Sequence, residues 1–128
     1  MNTRYKYALV MGAGFALGAI AVQGLHAQAK PPAYVIGEVT INNQDAFMKE
    51  FAIPGMKPLQ EAGGKFLARG STPISLEGAS PAPRVTVIQF DSMDKAQAWW
   101  NSPANKNMQA IGDKYATFRD YLVEGVSP

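Results

Sequence analysis

The chain has no cysteine and a single histidine, His26. Without cysteine there is no disulfide framework, no thiolate nucleophile and no iron–sulfur ligand set. His26 itself falls in an N-terminal stretch that reads as an export signal. The mature protein is therefore expected to lack the side chain most used in acid–base catalysis. That excludes zinc sites of the usual kind, haem held by histidine, and Ser-His-Asp or Cys-His nucleophiles. No G-x-G-x-x-G follows a strand, and there is no P-loop, D-x-D or EF-hand loop. No cofactor and no metal site are expected. A strong charge of one sign is missing too, with 12 Lys+Arg against 10 Asp+Glu. No basic run offers the electrostatic footprint of a nucleic-acid binder.

What is present begins with the signal. Arg4 and Lys6 precede an uncharged run, Tyr7 to Val22, and small residues stand at Ala27 and Ala29. These are the basic, apolar and cleavage parts of a secretory signal over residues 1–29, cut after Ala29. The product is expected in the periplasm or secreted, with no membrane attachment after cleavage. The alternative is an inner-membrane anchor formed by an uncleaved signal, but the run is short of the roughly 20 residues a span needs. Loss of Arg4 and Lys6 leaves basic and acidic side chains equal in number.

Residues 30–128 suit one domain. Tyr34 to Ile41 is β-branched and aromatic, and predicts a strand. Asn42-Asn43 caps a helix carrying Phe47, Met48 and Phe51. Pro54-Gly55 is expected to interrupt it, with Pro58 in the first turn of its second half, before Gly63-Gly64 stops it. Lys65 to Gly70 is a second strand, Ser71 to Pro83 a long Gly/Pro/Ser turn, and Arg84 to Phe90 a third strand. Asp91-Ser92 caps a helix through Trp99-Trp100, and Ser102-Pro103 restarts it. Phe118 to Glu124 is the last strand. The order β-α-β-β-α-β predicts an α+β, ferredoxin-like split βαβ fold: one antiparallel sheet with its helices on one face. The bare face of the sheet predicts a homodimer.

An ordered set of short pieces resembles a known family. They are Ala33-Tyr34-Val35, Gly63-Gly64-Lys65-Phe66-Leu67-Ala68-Arg69-Gly70, Leu76-Glu77-Gly78, Pro83 to Phe90, Asn101-Ser102-Pro103 and Val123-Glu124-Gly125. Together they resemble the bacterial family of domain of unknown function 1330, within the dimeric α+β barrel superfamily, over about Pro32 to Gly125. The resemblance implies a barrel closed by two subunits. Relatives of similar fold include cofactor-independent monooxygenases, haem degraders and lactone isomerases. This chain has Gln89 where the family commonly has an acid, and Gly112-Asp113-Lys114 where it is more basic.

Strand parity nominates the site. Simple alternation puts Lys65, Leu67 and Arg69 on one face of the second strand, and Tyr34, Ile36, Glu38 and Thr40 on one face of the first. Arg69, Gln89, Tyr121 and Glu38 are then expected to meet inside the barrel as a pocket for a small acidic or aromatic ligand, because arginine binds carboxylates bidentately. The competing reading makes Arg69 and Glu38 a structural ion pair. Arg84 is expected to anchor the Ser71–Pro83 loop through Glu77. Trp99 and Trp100 point about 100° apart on a helix, so one is expected in the core. Two functions fit: a small-molecule-binding or accessory homodimer, or a cofactor-independent isomerase or monooxygenase acting on a small polar or aromatic acid.

Overall fold

The computed structural model describes residues 30–128. The expected signal over 1–29, its cut after Ala29 and His26 lie outside the described residues. Among those described, no helix is long and apolar enough to cross a membrane.

Strand β1 (Ala33–Ile41) buries Ala33, Val35, Gly37 and Val39 and leaves Tyr34, Ile36 and Glu38 half-buried. That period of two gives the strand one inward and one outward face. A helical run follows: α1 (Gln44–Ala46), a π-helical segment (Phe47–Ala52) and α2 (Ile53–Glu61). Then come β2 (Lys65–Ser71), β3 (Arg84–Phe90), α3 (Met93–Trp100), α4 (Pro103–Gly112) and β4 (Ala116–Glu124). All pairings are antiparallel and the strand order is β2-β3-β1-β4. This is the split βαβ architecture that the order of elements predicts.

The caps follow the sequence signals. Ala46 N–H donates to Asn43 Oδ1, Lys95 N–H to Ser92 Oγ, and Asn105 N–H to Ser102 Oγ ahead of Pro103. At the end of α2, Gly63 adopts φ +94°, and Gly63 and Gly64 donate to the carbonyls of Gln60 and Leu59. This is a Schellman termination, which needs a left-handed residue that glycine supplies without steric cost.

Two expectations about the first helical run are corrected. Pro54-Gly55 does not interrupt it; the chain winds through as a π-helix instead. Pro54 has no N–H to close an α-helical bond onto Glu50, and the turn before it is wide, with Ile53 N–H reaching Met48 O. Pro58 stands inside α2, not at the start of a new segment.

The apolar core comes in two parts, both between the helices and the sheet. One gathers Ala33, Val35, Leu59, Ile88, Phe90 and Ala96, with Trp99 against it. Phe90 is fully buried, and its ring lies 5.3 Å from that of Trp99. Truncating a ring so placed costs about 3–5 kcal/mol. The other part gathers Val39, Phe47 and Ala116 with Phe51 and Phe118 packed on them. Between the two, the inward face of the sheet carries no large apolar side chain.

Candidate functional site

The gap between the two cores is one cross-strand row. Arg69 pairs with Thr86, Thr86 with Gly37, and Gly37 with Asp120. Of the rows on either side, one is apolar at its centre, with Val35 and Ile88, and the other sets Arg84 beside Val39 and Phe118. Residues directly opposite on one face are neighbours, so this row lays a polar stripe across the sheet beneath the helices. A cavity of about 970 Å³ opens above it, walled by Phe47, Phe51, Met56, Phe66, Trp99 and Met108. Apolar walls with a few converging polar groups are the usual make-up of a small-molecule site.

Arg69 reaches this cavity because β2 carries a β-bulge. The register runs Phe66↔Ile88 and then Ala68↔Val87, so Leu67 has no partner of its own. One extra residue reverses the alternation that follows. Simple parity placed Arg69 beside Lys65 on the bare face; the bulge turns it to the helix side. There its guanidinium lies 5.1 Å over the Phe66 ring and donates to Met56 Sδ at 3.4 Å. Arg84, two residues from Thr86 on the same face, lies 5.6 Å over the Phe47 ring with Met48 Sδ at 4.0 Å. Its expected link to Glu77 is not formed. The loop is held instead by Ala82 N–H, which donates to Glu38 Oε1 at 3.1 Å.

Neither guanidinium is neutralised by a carboxylate among the described residues. Lys57–Glu61, Lys95–Asp91 and Arg119–Glu38 form salt bridges, and among the described residues neither Arg69 nor Arg84 joins one. Burial, and then the charge of Arg69, pull the Arg84 pKa below its ordinary value. Arg84 stays charged nonetheless, since guanidinium does not deprotonate in proteins. Two like charges held together in a partly apolar cleft are unfavourable until an anion joins them.

Asp120 ends the row. The residue is exposed to solvent, and its carboxyl is partly desolvated by the protein around it. That burial, followed by the charge of Asp113, raises its pKa from 3.8 to about 6. Gly37 is what leaves space here. A methyl group on it would lie 2.7 Å from Thr86 Oγ1 and 2.9 Å from Asp120 Oδ1. The two oxygens therefore close over Gly37 and occupy the space a side chain there would need. Gln109 Nε2, a buried donor without a partner, stands on the helix side of the same cavity.

The nominated residues are thus split. Gln89, Tyr121 and Glu38 point to the bare face, in successive rows with Tyr34, Ile36 and Arg119 as partners. Glu38 accepts from Arg119 Nη1 at 3.1 Å, which replaces the expected pair with Arg69. Of the four, Arg69 alone lines the cleft, together with Arg84, Thr86 and Asp120. Parity had a signal for these three. Asp120 sits between Phe118 and Leu122 on an otherwise apolar face, as Thr86 sits between Arg84 and Ile88. Trp99 and Trp100 are both half-buried, with ring centroids 5.8 Å apart, and both line the cavity. Among the described residues no cluster of His, Cys, Asp or Glu is placed to hold a metal ion.

A family model described as "Domain of unknown function (DUF1330)" matches residues 32–126. Among curated proteins none matches. Solved structures are similar in fold. The RPA0582 protein of unknown function from Rhodopseudomonas palustris is 12% identical, covering 84% of this chain and 94% of that one, at a TM-score of 0.62. The methylated RPA0582 protein gives 0.63 at 12% identity, covering 84% and 92%. A protein from Bacteroides thetaiotaomicron, described as of unknown function and a possible oxidoreductase, gives 0.50 at 12% identity, covering 75% and 99%.

Proposed function

We infer that this chain, which belongs to the DUF1330 family, is an exported homodimer that binds a small organic acid in the cleft between its helices and its sheet. The acid group is held by Arg69 and Arg84, and the apolar body lies among Phe47, Phe66 and Met56. The observation that carries this reading is the pair of guanidiniums, whose neighbours are thioethers and ring faces and not carboxylates. Arginine offers a planar fork that matches a carboxylate, and an anion between the two relieves their repulsion.

Export is supported by the basic, apolar and small-residue order before Lys30. A mass for the exported species beginning at Lys30 is expected; a full-length species in the membrane fraction would oppose it. The homodimer is supported by the bare face of the sheet, where Val85 and Val87 lie uncovered by any helix and Tyr121 and Val123 are 44% and 47% exposed. Gln89 and Glu38 then belong with Tyr121 to the interface between subunits.

Calorimetric titration of the exported chain with benzoate tests the binding reading. Arg69→Ala and Arg84→Met should each weaken binding about tenfold or more, as loss of a charge-assisted hydrogen bond does. Neither should lower the melting temperature much, because each removes a like-charge repulsion and methionine keeps the packing of the arginine stem. Unchanged affinity with a large fall in melting temperature would make the arginines structural. A second reading, a cofactor-independent isomerase, is favoured by Asp120 at the far end of the row.

A further inference from the structure

Asp120 has a setting unlike that of the other carboxylates in the sheet. Glu38 is tied to Arg119 and to a backbone N–H. Among the described residues Asp120 has no hydrogen bond or ion pair to neutralise it, though it lines a cavity with two arginines. The charged groups that line that cavity are Arg69 on β2, Arg84 on β3, Glu61 on α2, Lys95 on α3 and Asp113 at the end of α4. Of these, Asp113 is the one that acts on the Asp120 carboxyl, and it disfavours the charged form. Arg69 sits at the other end of the row, beyond Thr86 and Gly37, and Arg84 in the next row, opposite Val39. A molecule in this cleft would meet cations on the β2–β3 side, the Thr86 hydroxyl in the middle, and the Asp120 carboxylate on the β4 side.

We propose that Asp120 is a catalytic base that moves a proton on the acid bound in this cleft, and that the substrate class is a small 2-oxo acid with a C–H next to its carbonyl. This rests on the binding reading above. The Asp120 carboxylate takes the proton from that carbon. The C–H electron pair forms the carbon–carbon double bond of an enolate, and the carbonyl π pair moves onto oxygen. That oxygen lies toward the Thr86 hydroxyl and the arginines, which stabilise its charge. The protonated Asp120 then returns the proton, to oxygen or to carbon. The net change is a tautomerisation that balances with no oxidant, reductant or co-reactant. A carboxyl titrating about 6 is ionised at neutral pH, yet is a stronger base than an ordinary carboxylate.

The test is exchange of the methylene protons of phenylpyruvate in D2O, followed by proton NMR, with benzoate titrated into the same samples. Wild-type protein should speed exchange over buffer, with a rate that rises as pH rises through about 6, where Asp120 loses its proton. Asp120→Asn should lose about a hundredfold or more of the protein-dependent rate, the low end of what a general base contributes. Its benzoate affinity should be as tight as wild type or tighter, which also reports an intact cleft. Asp113→Asn removes a neighbouring negative charge and should shift the midpoint of the pH profile downward. A purely structural aspartate would produce no such shift. Benzoate binding without exchange above buffer, an Asp120→Asn variant as fast as wild type, or an unmoved midpoint in Asp113→Asn overturns the proposal and leaves the binding reading standing. Absence of benzoate binding by the wild type overturns both.

Discussion

Glu38 and Asp120 stand on opposite faces of the same sheet, and their partners decide what each does. Glu38 keeps only 12% of its side chain exposed and accepts from Arg119 and from Ala82 N–H. Arg119 is 78% exposed, so the ion pair itself contributes little. The bond to Ala82 contributes more, because it ties the long loop to the sheet and satisfies a partly buried donor. Glu38→Ala should therefore lower stability by about 1–3 kcal/mol in urea denaturation, and the loop should become the first site of proteolysis. Stability unchanged within 0.5 kcal/mol, a typical surface effect, would contradict this role. Glu38 was legible as an outward residue on β1 because that strand alternates without a break. Its partner was not, since parity says which face a residue takes and register says which residue it meets.

The elements that shape the cleft are the two that depart from regular geometry. The π-helical segment carries Phe47 and Phe51 into the second core, and Arg84 lies over the first of those rings. The bulge at Leu67 carries Arg69 to the same side. Neither has a sharp sequence signature. Pro54-Gly55 marks a disturbance in the helix, and its proline is equally consistent with a break or with a wide turn. In β2 nothing distinguishes Leu67 as extra until the partner strand is in place. Caps, strand limits and the glycine stop were legible because each rests on local chemistry. The bulge depends on pairing between strands separated by a long loop. Deleting Leu67 offers an element-scale test. The ladder would then run continuously from Phe66 to Ala68, and Arg69 would keep its place opposite Thr86. Benzoate affinity should stay within about threefold of wild type, a change of under 1 kcal/mol. Loss of binding in a variant that still melts cooperatively would show that Arg69 does not act from this position.

At the scale of the whole domain, residues 31–127 present a sheet with two faces of opposite character. Beneath the helices, two apolar cores flank a polar row, and that interruption gives the cleft. On the other face, Ile36, Val87 and Tyr121 form an apolar row between the row of Lys65 and Gln89 and the row in which Val85 meets Glu38 and Arg119. An uncovered band of that kind is unusual on a stable monomer. Val87→Lys at its centre should convert a dimer mass to a monomer mass in light scattering, and a monomeric wild type would defeat the assembly. The residue choice read from parity merged these faces, because it brought Arg69 to the side of Gln89, Tyr121 and Glu38. The central claim is that ligand binding belongs to the helix side. A crystal of the protein grown with 4-bromobenzoate tests it most directly, since anomalous scattering locates the bromine. The account predicts the ring in the cleft, with its carboxylate on Arg69 and Arg84. Bromine on the bare face, beside Gln89 and Tyr121, would contradict it.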